Sequence, residues 1–173
     1  PLQSGSDTIL RAMRRPYNST EFAAVVARIR DRMPFAGITT DLIVGFPGET
    51  EQLFAETLQF LEKIQFSRIH IFKFSPRDGT PAATMGGQID NVAKYRRSDE
   101  VEAVWQRSAQ NFYRQFVGRE LEVLWETSES GIVQGFSREY IPCFIAANDS
   151  LLNQITHVRG LSVTPQGLQV ADI

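Results

Sequence analysis

The period of the apolar residues changes once along the chain, near residue 117. Upstream of it the period is helical. Phe22, Val25, Val26, Ile29 and Met33 predict an amphipathic helix that opens at Asn18 and Glu21, with capping-box spacing, and stops at Pro34. Leu53, Phe54, Leu58, Leu61 and Ile64 line one face of a second helix. Val101, Trp105, Ala109, Phe112 and Phe116 do the same for a third, over residues 91–116. A shorter helix carries Ile9, Leu10 and Met13, with Ser6 or Asp7 as its cap and a turn at Pro16. Residues 38–44 and 67–74 read as strands; in the second, Ile69 and Ile71 face one way and His70, Phe72 and Phe74 the other. The run SPRDGTPAA then turns sharply, and Gly86 and Gly87 mark a flexible joint.

Beyond Gly118 the pattern alternates. Leu121, Val123 and Trp125 are separated by polar residues, ETSESG turns, and Ile132 and Val133 resume. Further short strands are expected near residues 140–145, 154–158 and 167–170, with TPQG as the last tight turn. Five such strands in a tail this short predict a small β-barrel of the oligonucleotide-binding kind. The fold class is therefore α/β followed by a small barrel, with domains at residues 1–116 and 117–173.

One stretch organises the first domain. ITTDLIVGFPGET, residues 38–50, opens as a strand buried on both faces and breaks at Gly45, Pro47 and Gly48. Thr50 can cap the following helix, with Glu51 in its first turn. This is a βα unit, and α/β proteins place ligands beyond the carboxyl ends of such strands. Two glycines let a ligand approach the backbone closely. A tight βα turn without a ligand has the same pattern. Asp41 and Glu49 flank the turn closely enough in sequence to share one site, and capping and turn roles explain them equally well.

Composition narrows the class. Apolar content of 42% and charged content of 22% over 173 residues are those of a globular protein with one or two cores. No apolar run is long enough for a bilayer, and no signal peptide is recognisable, so no membrane partner is expected. The single cysteine, Cys143, sits in the apolar run IPCFIA and reads as core; it rules out an internal disulfide or a multi-cysteine metal site within these residues. His70 and His157 are far apart and read as structural. Sequons at Asn18 and Asn148 carry no weight without a sign of secretion.

Net charge is −2, but the tail beyond Val117 holds only Arg119, Arg138 and Arg159 against seven acidic residues. The group Arg11, Arg14 and Arg15 suits phosphate, although a solvated helix face is the simpler account. Known catalytic signatures are missing: GFPGET lacks the P-loop lysine, and no GxGxxG, GxSxG or HExxH occurs.

PLQSGSDTILRAMRRPY, ITTDLIVGFPGET and FKFSPRDGTPAA, in that order and spacing, resemble the methylthiotransferases of the radical S-adenosylmethionine superfamily. The tail resembles that family's RNA-binding TRAM barrel. IHIFKFSPRDGTPAATM and GFSREYI are most similar to the branch that methylthiolates threonylcarbamoyladenosine beside the tRNA anticodon. The isopentenyladenosine and ribosomal-protein branches share the main motifs. The resemblance implies the carboxyl-terminal portion of a partial six-fold α/β barrel in a cytoplasmic enzyme, with tRNA as partner. Its cofactors would be S-adenosylmethionine and two 4Fe-4S clusters. It also implies that Gln3, Ser4 and Ser6 lie by the methionine or ribose part of the cofactor. Asp41, Ile43, Gly45 and Glu49 would form the glycine-turn motif, with Ile43 on the adenine. Phe72 and Phe74 would come from the last barrel strand, where barrel core is the alternative role, and Arg77 would pair with carboxylate or phosphate. Arg119, Phe136, Arg138 and Tyr140 are the candidate RNA contacts.

The departure from the family is its CxxxCxxC motif, which this sequence lacks. Cluster ligation needs several thiolates, so the chain reads as an enzyme's carboxyl-terminal part, inactive by itself. Two other readings stand beside it: an RNA-binding adaptor, and an unrelated barrel enzyme using Asp41 and Glu49 as acid and base. The strand ending at Gln3 is expected beside the residue-38 strand with an open edge, and self-association is expected to follow.

Overall fold

The computed structural model describes residues 1–146 and 149–173. The sequon at Asn148 lies outside the described residues. Contacts divide the chain into two units, residues 1–34 with 38–108, and residues 35–37 with 109–173.

In the first unit, α1 (Asp7–Ala12) and α2 (Ser19–Arg32) lead to β1 (Thr39–Val44), α3 (Glu51–Ile64) and β2 (Arg68–Lys73). A short α4 (Pro81–Thr84), absent from the sequence reading, precedes the long α5 (Asn91–Arg114). Two of the helix starts marked by sequence are built as expected. Asn18 and Glu21 exchange bonds in a complete capping box, and Thr50 Oγ1 accepts the Leu53 N–H at 3.3 Å. Ser6 stands at the N-cap of α1 but makes no side-chain cap bond, because its hydroxyl is used elsewhere.

β1 and β2 are parallel, with Thr40 opposite Ile69, Asp41 opposite His70, Leu42 opposite Ile71 and Ile43 opposite Phe72. Alternation then sorts the residues. Leu42, Val44 and Ile69 turn toward α2, α3 and α5 and form one core with Val26, Phe54, Leu61, Val101 and Val104. Asp41, Ile43, His70 and Phe72 occupy the other face, where His70 and Phe72 are exposed and Asp41 and Ile43 half-buried. The segment before α1 lies beside β1 as expected: the Gln3 N–H donates to Asp41 O and the Ile43 N–H to Gln3 O, both at 2.9 Å. On α2 only Val26 is fully buried; Val25, Ile29 and Met33, expected as core, are exposed.

In the second unit β3 (Glu120–Glu129), β4 (Ile132–Ser137), β5 (Pro142–Ala146), β6 (Ile155–Thr164) and β7 (Gly167–Asp172) close a barrel in the order β3-β4-β5-β7-β6. β3, β4, β6 and β7 all run longer than their apolar patterns suggested, because further residues continue the ladders past the core. The inward positions are Val123, Trp125, Val133, Cys143, Val158 and Leu168, all buried. The Trp125 indole N–H donates to Thr156 Oγ1 at 2.8 Å. Gly135 lets β4 lie close against β3: a Cβ there would lie 2.0 Å from the Leu124 carbonyl oxygen.

Candidate functional site

The end of β1 is locked from below. Gly45 takes a φ of +73°, which glycine alone adopts without strain, and its N–H donates to Glu49 Oε2 at 2.7 Å. Arg97 reaches the same oxygen from α5 at 2.8 Å, and both side chains are almost completely buried. Its other terminal nitrogen meets Glu51 Oε1 at 2.7 Å, an oxygen shared with Arg96. Burial raises the Glu49 carboxyl pKa, while the Gly45 N–H and the Arg97 guanidinium pull it down. Bonds from Arg97 and Arg96 hold Glu51 below the usual carboxylate range. The Gly48 N–H donates to Gly87 O at 2.8 Å, so the glycines expected as a joint are tied to the turn.

These bonds separate the two candidate carboxylates. Glu49 is committed beneath the turn, and Asp41 lies half-buried on the open sheet face beside His70. That face carries Ile43 next to Phe72, and Phe72 is 53% exposed. Phe74 packs edge-on against Phe46, with centroids 5.2 Å apart. Ser4 and Ser6 are fully buried and turned toward α3: Ser4 Oγ lies 3.3 Å from Thr57 Oγ1, and Ser6 Oγ donates to Glu56 Oε2 at 2.7 Å. Gln3 is buried beside β1, and its side chain has no hydrogen bond among the described residues. Arg77 is exposed in the turn after β2.

Sequence reasoning missed His70, Lys94 and Arg97. His70 shares the open face with the cofactor candidates. Lys94 and Arg97 are buried on α5 at the positions that continue the Val101 stripe toward the helix start. Two cations at core-facing positions of an otherwise apolar stripe were the available signal.

The barrel brings three of its four candidates together. Phe136 and Tyr140 lie with ring centroids 5.8 Å apart, and with Arg138 they line one groove that also contains Leu124, Ile155 and two acids, Glu122 and Glu126. Tyr140 is 70% exposed. Arg119 is elsewhere, its guanidinium 4.3 Å from the Phe35 ring and its Nε donating to Gln115 O.

Comparison with known proteins places this geometry. Residues 1–61 match the model of the radical SAM superfamily. The chain is 37% identical over 169 residues to the threonylcarbamoyladenosine tRNA methylthiotransferase MtaB of Thermotoga maritima, covering 96% of this chain and 38% of that protein. It is 48% identical over 124 residues to the tRNA-2-methylthio-N(6)-dimethylallyladenosine synthase of Thermobifida fusca, covering 72% of this chain and 25% of that enzyme. The Frankia alni synthase of the same name is 49% identical over the same shares. The chain is thus similar, over most of its length, to tRNA methylthiotransferases, and its first 61 residues match the radical SAM superfamily. It spans between a quarter and two fifths of the length of these relatives.

The α/β unit is consistent with a partial radical SAM barrel, and the closed five-stranded barrel fits a TRAM-like domain. The residues present do not fit an iron–sulfur cluster. Cys143 is fully buried in the barrel core and its thiol is pushed up to about 12, so it offers no thiolate at neutral pH. Among the described residues, no three His, Cys, Asp or Glu side chains are grouped to hold a metal ion. No described helix is long and apolar enough to cross a membrane. The open face does fit a nucleoside: a half-buried isoleucine and an exposed aromatic ring adjoin, with polar groups beside them.

Proposed function

We propose that the chain is the carboxyl-terminal part of a cytoplasmic methylthiotransferase that acts on threonylcarbamoyladenosine in tRNA. The supporting observation is the extent of the MtaB match, which takes in 96% of the chain and therefore both units. In this reading radical chemistry comes from S-adenosylmethionine and from clusters whose ligands lie outside this chain. The chain's own residues bind and orient. Ile43 and Phe72 pack on the adenine, Asp41 offers a polar contact at the same face, and Gln3 fixes the entering segment beside β1. Ser4 and Ser6 fix the strand exit to α3, and Glu49 holds the shape of the Gly45 turn. Arg77 stands free at the rim for an anionic group. In the barrel, Phe136 and Tyr140 stack on bases and Arg138 meets phosphate.

The dimethylallyladenosine reading has one observation in its favour, higher identity over a shorter stretch. One experiment separates the two. The whole gene is expressed in cells lacking methylthiotransferases, and the tRNA nucleosides are analysed by mass spectrometry. The proposal expects methylthio-threonylcarbamoyladenosine. Methylthio-dimethylallyladenosine in its place overturns it.

A further inference from the structure

Lys94 has no ordinary role in the packing. It is 6% exposed, and its aliphatic stem crosses the bare side of Gly45: a Cβ on that glycine would lie 2.4 Å from Lys94 Cγ. The space left by the missing side chain is thus filled by the lysine stem. No acceptor among the described residues bonds its ammonium, which lies over the Phe74 ring with the centroid 5.6 Å away. Of the fully buried side-chain polar atoms among the described residues, only Arg97 Nε lacks a partner. The ammonium is therefore not sealed in, and the little surface Lys94 retains includes its charged tip.

Its charge is also unbalanced locally. Glu49, the acid of the turn, already serves the Gly45 N–H and Arg97, and Glu51 serves Arg96 and Arg97. A cation held by a buried stem, without an internal counter-ion, at the ligand end of parallel strands is preorganised for an anion. An ammonium is a compact point charge that suits one carboxylate oxygen.

We propose that Lys94 is the cation of a carboxylate subsite beside the Gly45 turn. The inference rests on the reading of this end of the sheet as the cofactor and substrate site. Two carboxylates are available there: the one on the methionine part of S-adenosylmethionine, and the one on the threonyl group of the modified base. The dimethylallyl group has none.

Calorimetric titration of the chain with two ligand pairs tests this. S-adenosylhomocysteine is compared with 5′-methylthioadenosine, which lacks the carboxylate, and N6-threonylcarbamoyladenosine with N6-dimethylallyladenosine. The wild-type chain prefers the carboxylate member of one pair by about tenfold or more, the scale of a hydrogen bond to a charged group. A preference in the first pair identifies the cofactor as the source, and one in the second pair the base. Lys94→Met abolishes that preference and Lys94→Arg retains most of it, with thermal unfolding recorded for both variants. Absence of a carboxylate preference in both pairs, or a preference that survives Lys94→Met, overturns the proposal. Failure of the wider reading shows separately, in the tRNA nucleosides of the whole-gene experiment.

Discussion

Arg97 donates to the Glu49 carboxylate at 2.8 Å across 48 residues of chain, both side chains buried. One bond thus fixes α5 to the turn after β1. Removing one member leaves an uncompensated buried charge, which costs about 3–5 kcal/mol. Arg97→Met is expected to lose stability on this scale in urea unfolding. Pairing it with Glu49→Leu should recover part of the loss, because the orphaned carboxylate is gone.

Gly45 and Lys94 form a second coupled pair. Gly45→Ala adds a Cβ into the lysine stem and places alanine at positive φ, which alone costs roughly 1–2 kcal/mol. In a Lys94→Ala background the collision is absent and only the backbone cost remains. A double-mutant cycle by denaturation should therefore give a smaller loss for Gly45→Ala in that background. Equal losses in both backgrounds would mean that the stem moves aside freely.

Much of this arrangement was legible in the sequence. The strand, the turn, the Thr50 cap and the Asn18–Glu21 box follow from local chemistry, which acts over three or four residues. The Glu49–Arg97 bond did not, since nothing local to GFPGET specifies a partner on α5. Ser4 and Ser6 show the same limit: the motif marks them, yet their hydroxyls answer to Thr57 and Glu56. In the tail, alternation revealed the barrel but stopped short of the strand ends. Ser128 and Ser162 lie on β-ladders that the apolar pattern left out.

The barrel groove carries aromatic rings among acids, so its RNA affinity should owe little to charge. Binding of the chain to a tRNA anticodon stem is expected to show a log–log salt slope below about 2 in magnitude, given one free arginine in the groove and few others in the barrel. Tyr140→Ala and Phe136→Ala should each weaken binding by about 1–3 kcal/mol. A steep slope with neither variant affected would remove RNA from this groove.

Cys143 gives a pH signature. Its folded pKa of about 12 lies above the unfolded value of about 8.5, so the folded state keeps its proton longer. The stability this contributes is present below the unfolded pKa and is lost as pH rises toward 12. Between pH 8 and pH 10 the wild type should lose about 2 kcal/mol more than Cys143→Ala. Parallel pH curves for the two proteins would contradict the assignment.

The pairing of Gln3 with β1 leaves the far side of that segment without a strand neighbour among the described residues. Open edges pair with other chains. Light scattering over a concentration series is expected to show mass rising above that of one chain. A constant single-chain mass at high micromolar concentration would refute it.

The Gly48–Gly87 backbone bond closes the chain between them into a ring that contains α3, β2 and α4. Residues 75–80 of that ring are all exposed. A cut there separates α5 from the strands covalently, yet the Arg97–Glu49 bond and the Trp105 bond to Ser67 O still join the two sides. Halves of the α/β unit made apart are thus expected to find each other through these contacts, as in a split protein.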